Sequence, residues 1–207
     1  TGEIPREIGN LVNLEELDLQ GNPDSDNSGS LEGQIPNSIN NLTKLTRIEL
    51  HKNKLSGRFP NIGNLNNLTF LQLSDNGFSN IDKVFGAENL VTLSVKNCNV
   101  SQISIRYNIP LGLETFELRG NNLSVIPERI GDFINLKRLL VGGNILRTIP
   151  NGISNLINLE LLHLTDNEIT SVSFEDLSNL TNLQELYLEN NKLTSLPTNT
   201  CEMFERH

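Results

Sequence analysis

The sequence predicts an α/β solenoid of about eight stacked repeats that share one parallel β-sheet. Three observations predict this fold class. A nine-residue phrase recurs at a nearly constant interval, leucine alternates with variable residues at its centre as in a β-strand, and segments with proline or glycine join the copies. The phrase is Leu-x-x-Leu-x-Leu-x-x-Asn, with some replacements, in a chain of 207 residues. Its copies begin at Leu14, Leu45, Leu68, Leu90, Leu113, Leu136, Leu159 and Leu183.

Each phrase is predicted to form one short strand. Its Leu-x-Leu centre places alternate side chains on opposite faces of the strand. From Leu45 onward the copies begin 22 to 24 residues apart, so the strands of successive repeats can stack side by side. One repeat cannot bury its own leucines, whereas stacked repeats form a continuous core.

The segment between two phrases must return the chain to the start of the next strand. Residues 126–135 illustrate this, because Ile126 and Ile130 can point inward while Pro127 and Gly131 bend the path. We therefore expect short, bent return segments on the side of the solenoid opposite the sheet.

The asparagine that ends each phrase is predicted to point inward. The chain turns out of the strand there and leaves backbone groups without a ladder partner, and a carboxamide can both donate to them and accept from them. Stacked repeats would then form an asparagine ladder. Cys98 takes this place in the fourth copy, and we expect it to face inward as well.

These phrases resemble the leucine-rich repeat family along essentially the whole chain. The resemblance implies a right-handed superhelix with a curved parallel sheet on the concave face and short helices, 3-10 turns and extended segments on the convex face. Gly2-x-Ile4-Pro5, Leu31-x-Gly33-x-Ile35-Pro36 and Leu55-x-Gly57-x-Phe59-Pro60 also resemble the plant-type subclass, in which this segment adds a second short strand. The glycine is missing from Asn76 onward, so this implication is limited to the N-terminal repeats.

The unbroken repeats predict a single domain over residues 1–207. No clear polar cap is recognisable at either end, which suggests a fragment of a longer chain. The net charge of −9 argues against nucleic acid and against an anionic membrane surface, because both require clustered lysine and arginine. No transmembrane stretch is recognisable, so direct membrane insertion is not expected of this segment.

The two cysteines are not predicted to pair with each other. Cys98 and Cys201 lie more than four repeats apart, about 20 Å at the usual strand spacing. A disulfide requires Cα atoms within about 7 Å. Cys201 is interpreted either as a core residue or as part of a C-terminal cap.

Five Asn-x-Ser/Thr triplets are possible glycosylation sites, at Asn41, Asn67, Asn99, Asn122 and Asn179. A composition rich in Asn, Ser and Thr produces several such triplets by chance. Asn41 and Asn179 lie in return segments and are predicted to be the most accessible. Asn67 and Asn122 flank the strand phrase and are predicted to be less accessible.

Catalytic and metal-binding patterns are not recognisable in the sequence. His51 and His163 belong to the second and seventh repeats, about 24 Å apart, so they cannot share a metal or a proton. An inserted segment, residues 24–29, resembles the start of a calcium loop, but its twelfth position is Ile35 instead of Glu. We therefore predict an ordinary polar loop, no metal site, no cofactor and no enzymatic activity.

The binding surface is predicted on the sheet face, at the third, fifth and seventh positions of the phrases. Apolar and aromatic residues occupy such positions in repeats six to eight, namely Leu140, Leu161, His163 and Tyr187. Gly142 and Gly143 leave space beside them, and Arg119 and Arg138 lie at the margin. An exposed apolar patch with an aromatic ring and arginines is typical of an interaction site. Single exposed leucines are also ordinary, and a further repeat could pack there.

A second candidate site lies on the same face in the N-terminal repeats. Its residues are Arg47, Glu49, Phe70 and Gln72. Elsewhere the predicted face is mixed polar, which suits a peptide or glycan as well as a protein.

These observations favour a non-catalytic recognition module that binds a protein, peptide or glycan through the concave face. The chain is similar to extracellular recognition domains such as those of plant-like receptors and wall-protein inhibitors, which implies an extracellular or cell-surface location. One alternative is a structural or self-assembling component of a surface layer or adhesin. Another is an intracellular scaffold in the cytoplasm.

Overall fold

The computed structural model describes residues 2–21, 30–105, 109–173 and 177–194. Its strands are β1 (Gly2–Glu3), β2 (Glu16–Asp18), β3 (Leu31–Gly33), β4 (Arg47–Glu49), β5 (Lys54–Arg58), β6 (Phe70–Gln72), β7 (Gly77–Asn80), β8 (Thr92–Ser94), β9 (Thr115–Glu117), β10 (Arg138–Leu140), β11 (Leu161–His163) and β12 (Glu185–Tyr187). Short 3-10 helices lie at Arg6–Asn10, Asn37–Asn41, Asp82–Gly86, Glu128–Asp132 and Asn151–Asn155. The residue pattern therefore forms a solenoid, as predicted.

One parallel sheet contains a strand from each of the eight phrases, in the order β12-β11-β10-β9-β8-β6-β4-β2. The register is the same at every step; Leu17 pairs with Ile48, for example, and Leu139 with Leu162. Equivalent positions of successive phrases consequently form straight columns across the sheet. The central residue of each strand points into the core, and its two neighbours point to the concave face.

The return segments pack the opposite side of the core. Four of the described 3-10 helices follow a proline, and Pro36 and Pro127 illustrate the geometry with φ of −68° and −66°. Proline fixes φ near this value, so it sets the direction in which the next turn begins. Three of these turns bury an isoleucine, namely Ile39, Ile130 and Ile153, whereas Ile8 of the first turn is only partly buried. The prediction of short helical turns in these segments is confirmed.

The asparagine ladder is present in the described residues. Asn144 shows the repeated pattern: its Nδ2 donates to the carbonyl oxygens of Leu118 at 3.1 Å and Val141 at 2.9 Å, and its Oδ1 accepts from the amide of Leu123 at 2.9 Å. Each asparagine therefore ties two successive repeats together while satisfying buried backbone groups.

Cys98 faces inward in the ladder, as predicted. Its sulfur lies 3.5 Å from the carbonyl oxygens of Leu73 and Lys96, so the thiol is a weak substitute donor. Burial raises the pKa of the Cys98 thiol from 9.0 to about 11, even though backbone hydrogen bonds with Asn76 and Phe78 lower it. The thiol is thus protonated at neutral pH. Cys201 lies outside the described residues, as does the inserted segment 24–29.

A second, smaller sheet runs beside the first in the order β1-β3-β5-β7. The plant-type motifs at Gly33 and Gly57 lie within it, and both glycines have the positive φ that other residues avoid, +79° and +81°. The implied second strand is therefore confirmed in the N-terminal repeats. The sheet also contains β7, one repeat beyond the last motif, with a register irregularity between Gly57 and Arg58.

The eighth position of the phrase adopts a left-handed conformation from the second repeat onward. Positive φ between 51° and 65° occurs at Lys52, Asp75, Asn97, Gly120, Gly143, Asp166 and Asn190. Most of these are glycine, asparagine or aspartate, the residues that tolerate this region best. This turn lets the chain leave the strand and present the next residue, the ladder asparagine, to the core.

Candidate ligand-binding site

Three of the four N-terminal candidate residues, Arg47, Glu49 and Phe70, form one cluster. The Arg47 guanidinium lies 3.6 Å from the centre of the Phe70 ring, and its Nε donates to Glu49 at 2.7 Å. This cation–π contact and the hydrogen bond to Glu49 together hold the arginine side chain in place. Glu49 also lies 3.7 Å from Nδ1 of His51, a buried nitrogen without a hydrogen-bond partner among the described residues.

Gln72 belongs to a separate polar network in the middle of the face. Its Oε1 accepts from the hydroxyl of Ser74 at 2.7 Å, and Ser74 lies 2.9 Å from the hydroxyl of Ser94. Ser94 donates to Glu117 at 3.1 Å, and Arg119 donates to the same carboxylate at 2.7 Å. The centre of the concave face is therefore fixed by internal hydrogen bonds.

Sequence reasoning missed Ser74 and Ser94 as members of this network. Both serines are buried although they lie on the open face of the sheet, because longer neighbours in the adjacent columns cover them. The available signal was the presence of two small hydroxyl residues in neighbouring repeats, between Gln72 and Glu117.

The prediction that Leu140 and Leu161 are exposed is wrong. Only 7 % of Leu140 and 6 % of Leu161 is accessible to solvent, although both lie on the concave face. Neither belongs to the main hydrophobic core. On a flat strand face each side chain has neighbours on both adjacent strands: Leu140 lies between Glu117 and His163, and Leu161 between Arg138 and Glu185. These residues flank the two buried leucines, which we call the apolar floor of this part of the face.

His163 and Tyr187 form a ring pair above this part of the face. Their centroids are 5.3 Å apart and the planes are inclined by 41°. The Tyr187 hydroxyl donates to Glu185 at 2.6 Å, and this bond, with the nearby negative charge, raises the pKa of Tyr187. Both rings are partly exposed, so they present the accessible apolar surface that the sequence assigned to the leucines. We call Leu140, Leu161, His163 and Tyr187 the C-terminal patch.

The two arginines predicted at the margin of the C-terminal patch differ in whether their side chains form an ion pair within the described residues. Arg119 is held by Glu117, as described above. Arg138 is exposed and makes no ion pair with any residue that the structure describes. Arg138 is therefore the arginine of this pair that can bind an anionic group without first breaking an existing contact.

The geometry offers little for catalysis or metal binding. Four strands of the sheet separate His163 in β11 from β4, the strand that His51 follows. Among the described residues, no group of three or more His, Cys, Asp and Glu side chains could hold a metal ion. Within the same residues, no helix has the length and apolar character that a membrane crossing requires.

All five possible glycosylation sites are exposed, including Asn67 and Asn122, and their relative accessibility stays a prediction. Asn67 lies on a turn before the strand, where its Nδ2 donates to the carbonyl of Thr43 at 2.9 Å. Asn135 and Asn158 repeat this bond with Leu111 and Ile134. Asparagine directly before a phrase thus forms a second, outer ladder, which the recurring Asn-Leu pairs of the sequence could have indicated.

Comparisons with known proteins support the fold. The Leucine rich repeat family profile matches residues 134–193. The solved structure of the plant peptide hormone receptor RGFR1 in complex with RGF2 is 31 % identical, with a TM-score of 0.78, and the match covers 93 % of this chain and 31 % of that one. The chain is a leucine-rich repeat protein. Its repeats resemble the plant type.

Two further structures show how varied the ligands of leucine-rich repeat proteins are. The ectodomain of the Arabidopsis thaliana membrane receptor kinase GASSHO1/SCHENGEN3, in complex with CASPARIAN STRIP INTEGRITY FACTOR 2, is 26 % identical with a TM-score of 0.70, covering 93 % of this chain and 26 % of that one. The TLR13-ssRNA13 complex is 27 % identical with a TM-score of 0.75, covering 97 % and 28 %.

The present chain spans about a third or less of the length of each of these three structures. No protein of curated function matches the sequence.

Proposed function

We propose that this leucine-rich repeat chain is a non-catalytic recognition module of the extracellular receptor type, and that it binds a peptide across its concave face. The observation that carries this proposal is the C-terminal patch. Its two leucines are covered yet lie outside the core, and its two rings are partly exposed beside the exposed Arg138. A ring pair over an apolar floor beside a free arginine has the composition of an interaction hot spot.

A peptide is a better candidate ligand than a nucleic acid. The net charge is −9, and the described cations of the concave face are few and partly paired with carboxylates. Binding of a phosphate backbone requires many unpaired cations. The similarity to RGFR1, a plant peptide hormone receptor, and to the ectodomain of the receptor kinase GASSHO1/SCHENGEN3 supports the same choice.

The peptide proposal can be tested by selection from a library of random peptides displayed on phage, with the purified chain as bait. We expect enriched peptides that bind the parent and that bind His163→Ala and Tyr187→Ala at least tenfold more weakly, as is usual for central interface residues. Thr92→Ala is the matched control, because it truncates a residue of the same face far from the patch. Enrichment of peptides that bind all three variants like the parent would place the site elsewhere.

The extracellular assignment is supported by the similarity to the GASSHO1/SCHENGEN3 ectodomain, and the five exposed Asn-x-Ser/Thr triplets provide a way to test it. N-glycans are added in the secretory pathway, so glycan mass on the native protein would exclude a cytoplasmic scaffold. Treatment with an N-glycosidase, followed by mass spectrometry, should show a loss of mass and conversion of modified Asn to Asp. Native protein with the mass of the bare chain would contradict the extracellular assignment.

The alternative function, a structural component that assembles with copies of itself, predicts a different dependence of particle size on concentration. A self-assembling surface component should form larger particles as its concentration rises, whether or not a peptide is present. Sedimentation velocity over a hundredfold range of concentration distinguishes this alternative from a recognition module, which we expect to sediment without concentration-dependent growth.

A further inference from the structure

The concave face has one position where a side chain is missing. At the seventh position of the phrase, Gly142 stands where the other repeats have Gln20, His51, Ser74, Lys96, Arg119, Thr165 and Glu189. The backbone does not require this glycine, because the positive φ occurs at Gly143 and not at Gly142. The absence of a side chain at Gly142 therefore calls for another explanation.

The explanation is the space that the His163 ring occupies. A Cβ atom on Gly142 would lie 2.6 Å from Nδ1 and 2.8 Å from Cε1 of His163, and 3.0 Å from Oγ1 of Thr165. These separations are shorter than van der Waals contact allows. The imidazole thus lies across the sixth repeat because residue 142 has no side chain.

The other contacts of the ring fix it in that place. Thr165 Oγ1 lies 3.4 Å from Nδ1 of His163, and the centre of the Tyr187 ring lies 5.3 Å from that of the imidazole. Tyr187 is itself anchored to Glu185. Gly142, Thr165, His163 and Tyr187 therefore form a continuous series of contacts, and only Gly142 has no side chain that could reach a ligand.

We propose that Gly142 is a positioning residue that sets the His163–Tyr187 ring pair in its inclined arrangement, and that this pair selects ligands with an aromatic side chain. The selectivity follows from the two ring faces, because rings gain specific stabilisation from offset or inclined contact with another ring. The selectivity rests on the proposed function, whereas the positioning of His163 does not.

The positioning is tested by NMR on His163. In the parent, the ring current of Tyr187 should shift the imidazole carbon-bound protons away from random-coil values. Gly142→Ala should abolish this shift, because the added methyl group forces the ring to rotate. In a His163→Ala background the same Gly142→Ala change should leave the Tyr187 signals unaltered. Gly112→Ala is the matched control, since a Cβ there meets nothing closer than 4.0 Å. An unchanged His163 shift in folded Gly142→Ala would overturn the positioning role.

The selectivity is tested with N-acetyltryptophanamide as a probe and N-acetylalaninamide as its comparison, by titration into the isotope-labelled chain. The tryptophan probe should perturb His163 and Tyr187 and the alanine probe should not. Gly142→Ala should weaken the tryptophan probe about three- to tenfold, the range of a single aromatic contact. Equal binding of both probes, or undiminished binding to Gly142→Ala, would overturn the selectivity. If the phage selection yields no binding peptide but the tryptophan probe binds as expected, the proposal of a peptide ligand is rejected and the preference of the ring pair for aromatic groups is retained.

Discussion

The N-terminal and C-terminal repeats build the same main sheet but differ on the outside. In the N-terminal repeats the chain forms a strand soon after each ladder position, and the four strands β1, β3, β5 and β7 make a second sheet. In the described C-terminal repeats the corresponding segment is not a strand. Only one or two backbone hydrogen bonds join the corresponding segments of neighbouring repeats there, such as the bond from the Ile145 amide to the Leu123 carbonyl at 3.0 Å.

The length of the segment between leucine and proline explains the difference. Leu55 to Pro60 spans five residue steps, whereas Leu123 to Pro127 spans four. The longer segment can pair in extended form and then turn through Gly57. A shorter segment adds one last strand, β7, on the existing β5, with an irregular register, and then the sheet ends. The outer surface of a repeat protein can thus change without any change in the ladder that joins the repeats.

The largest expected effect is at the junction of the two regions. Phe116 lies 6.0 Å from both Phe85 and Phe133, and this ring cluster joins the third to the fifth repeat. Phe116→Ala should cost about 3–5 kcal/mol of unfolding free energy through the cavity it leaves. Because repeats are coupled only to their neighbours, urea unfolding followed by circular dichroism should separate into two transitions. Phe59→Ala, in the two-sheet region, should give one shifted transition; the same behaviour in both variants would show that the junction is not a weak point.

The next prediction concerns the asparagine ladder. Asn144→Ala leaves the Leu123 amide without its partner, and it removes one of the two asparagine donors to each of the Leu118 and Val141 carbonyls. It should cost about 1–3 kcal/mol. Asn76→Ala removes an equivalent set of bonds, but there β5 and β7 hold the outer segment as well, so the loss should be smaller. Chemical unfolding of both variants measures the difference. An equal loss would mean that the second sheet adds nothing to the ladder.

The pH dependence of stability tests the fourth repeat, where the second sheet has ended. The pKa of Cys98 is about 11 in the folded chain and 9.0 in the unfolded chain, so the fold favours the protonated thiol. Its contribution is fully present below pH 9 and is lost as the pH rises towards 11, on the order of 2 kcal/mol in total. The measurement compares the parent with Cys98→Ala in urea at pH 8 and pH 10.5. A stability difference between them that does not change with pH would contradict the buried thiol.

A smaller effect is expected from the plant-type glycine. Gly57 has φ of +81°, and a Cβ there would lie 3.2 Å from Nε2 of Gln34. Gly57→Ala should therefore cost about 1–2 kcal/mol, the usual penalty for a side chain in left-handed backbone. Gly112→Ala, in ordinary backbone, should remain within about 0.5 kcal/mol of the parent. Thermal unfolding compares the two, and equal losses would remove the special role of Gly57 in the second sheet.

The smallest expected effect is an increase in the stability of the fold. Lys52 is the one long side chain among the left-handed eighth positions, with φ of 57°. Lys52→Asn should stabilise the chain by about 0.5 kcal/mol, because asparagine tolerates this conformation better. Lys83→Asn is the control for the lost charge. Calorimetry resolves a change of this size, and a loss of stability in Lys52→Asn would show that the lysine side chain has a compensating contact.

Much of the architecture could be predicted from the residues. The nine-residue period gave the main sheet, and the ladder roles of Asn144 and Cys98 followed from the polar groups that a turn leaves unpaired. The N-terminal glycine motif gave the second sheet. The sequence could not give its last strand, because β7 forms by pairing with β5 and has no motif of its own.

The position of the candidate site on the concave face was predictable from the sequence, but the solvent exposure of its residues was not. Register placed Leu140, Leu161, His163 and Tyr187 together, as the columns implied. Their exposure was not predictable, because it depends on the length and direction of neighbouring side chains. The same holds for the buried serines between Gln72 and Glu117.

The sequence by itself determined the repeat, the sheet, the inward ladder and the residues that share the concave face, because each follows from a local period that stacking reproduces. Only the tertiary structure decided which of those residues are accessible. Leu140 is buried while Tyr187 is partly exposed, and a side chain at position 142 would collide with the His163 ring in its present place. The accessibility of a side chain depends on its contacts with the side chains of neighbouring repeats. Such contacts cannot be inferred from the sequence of one repeat alone.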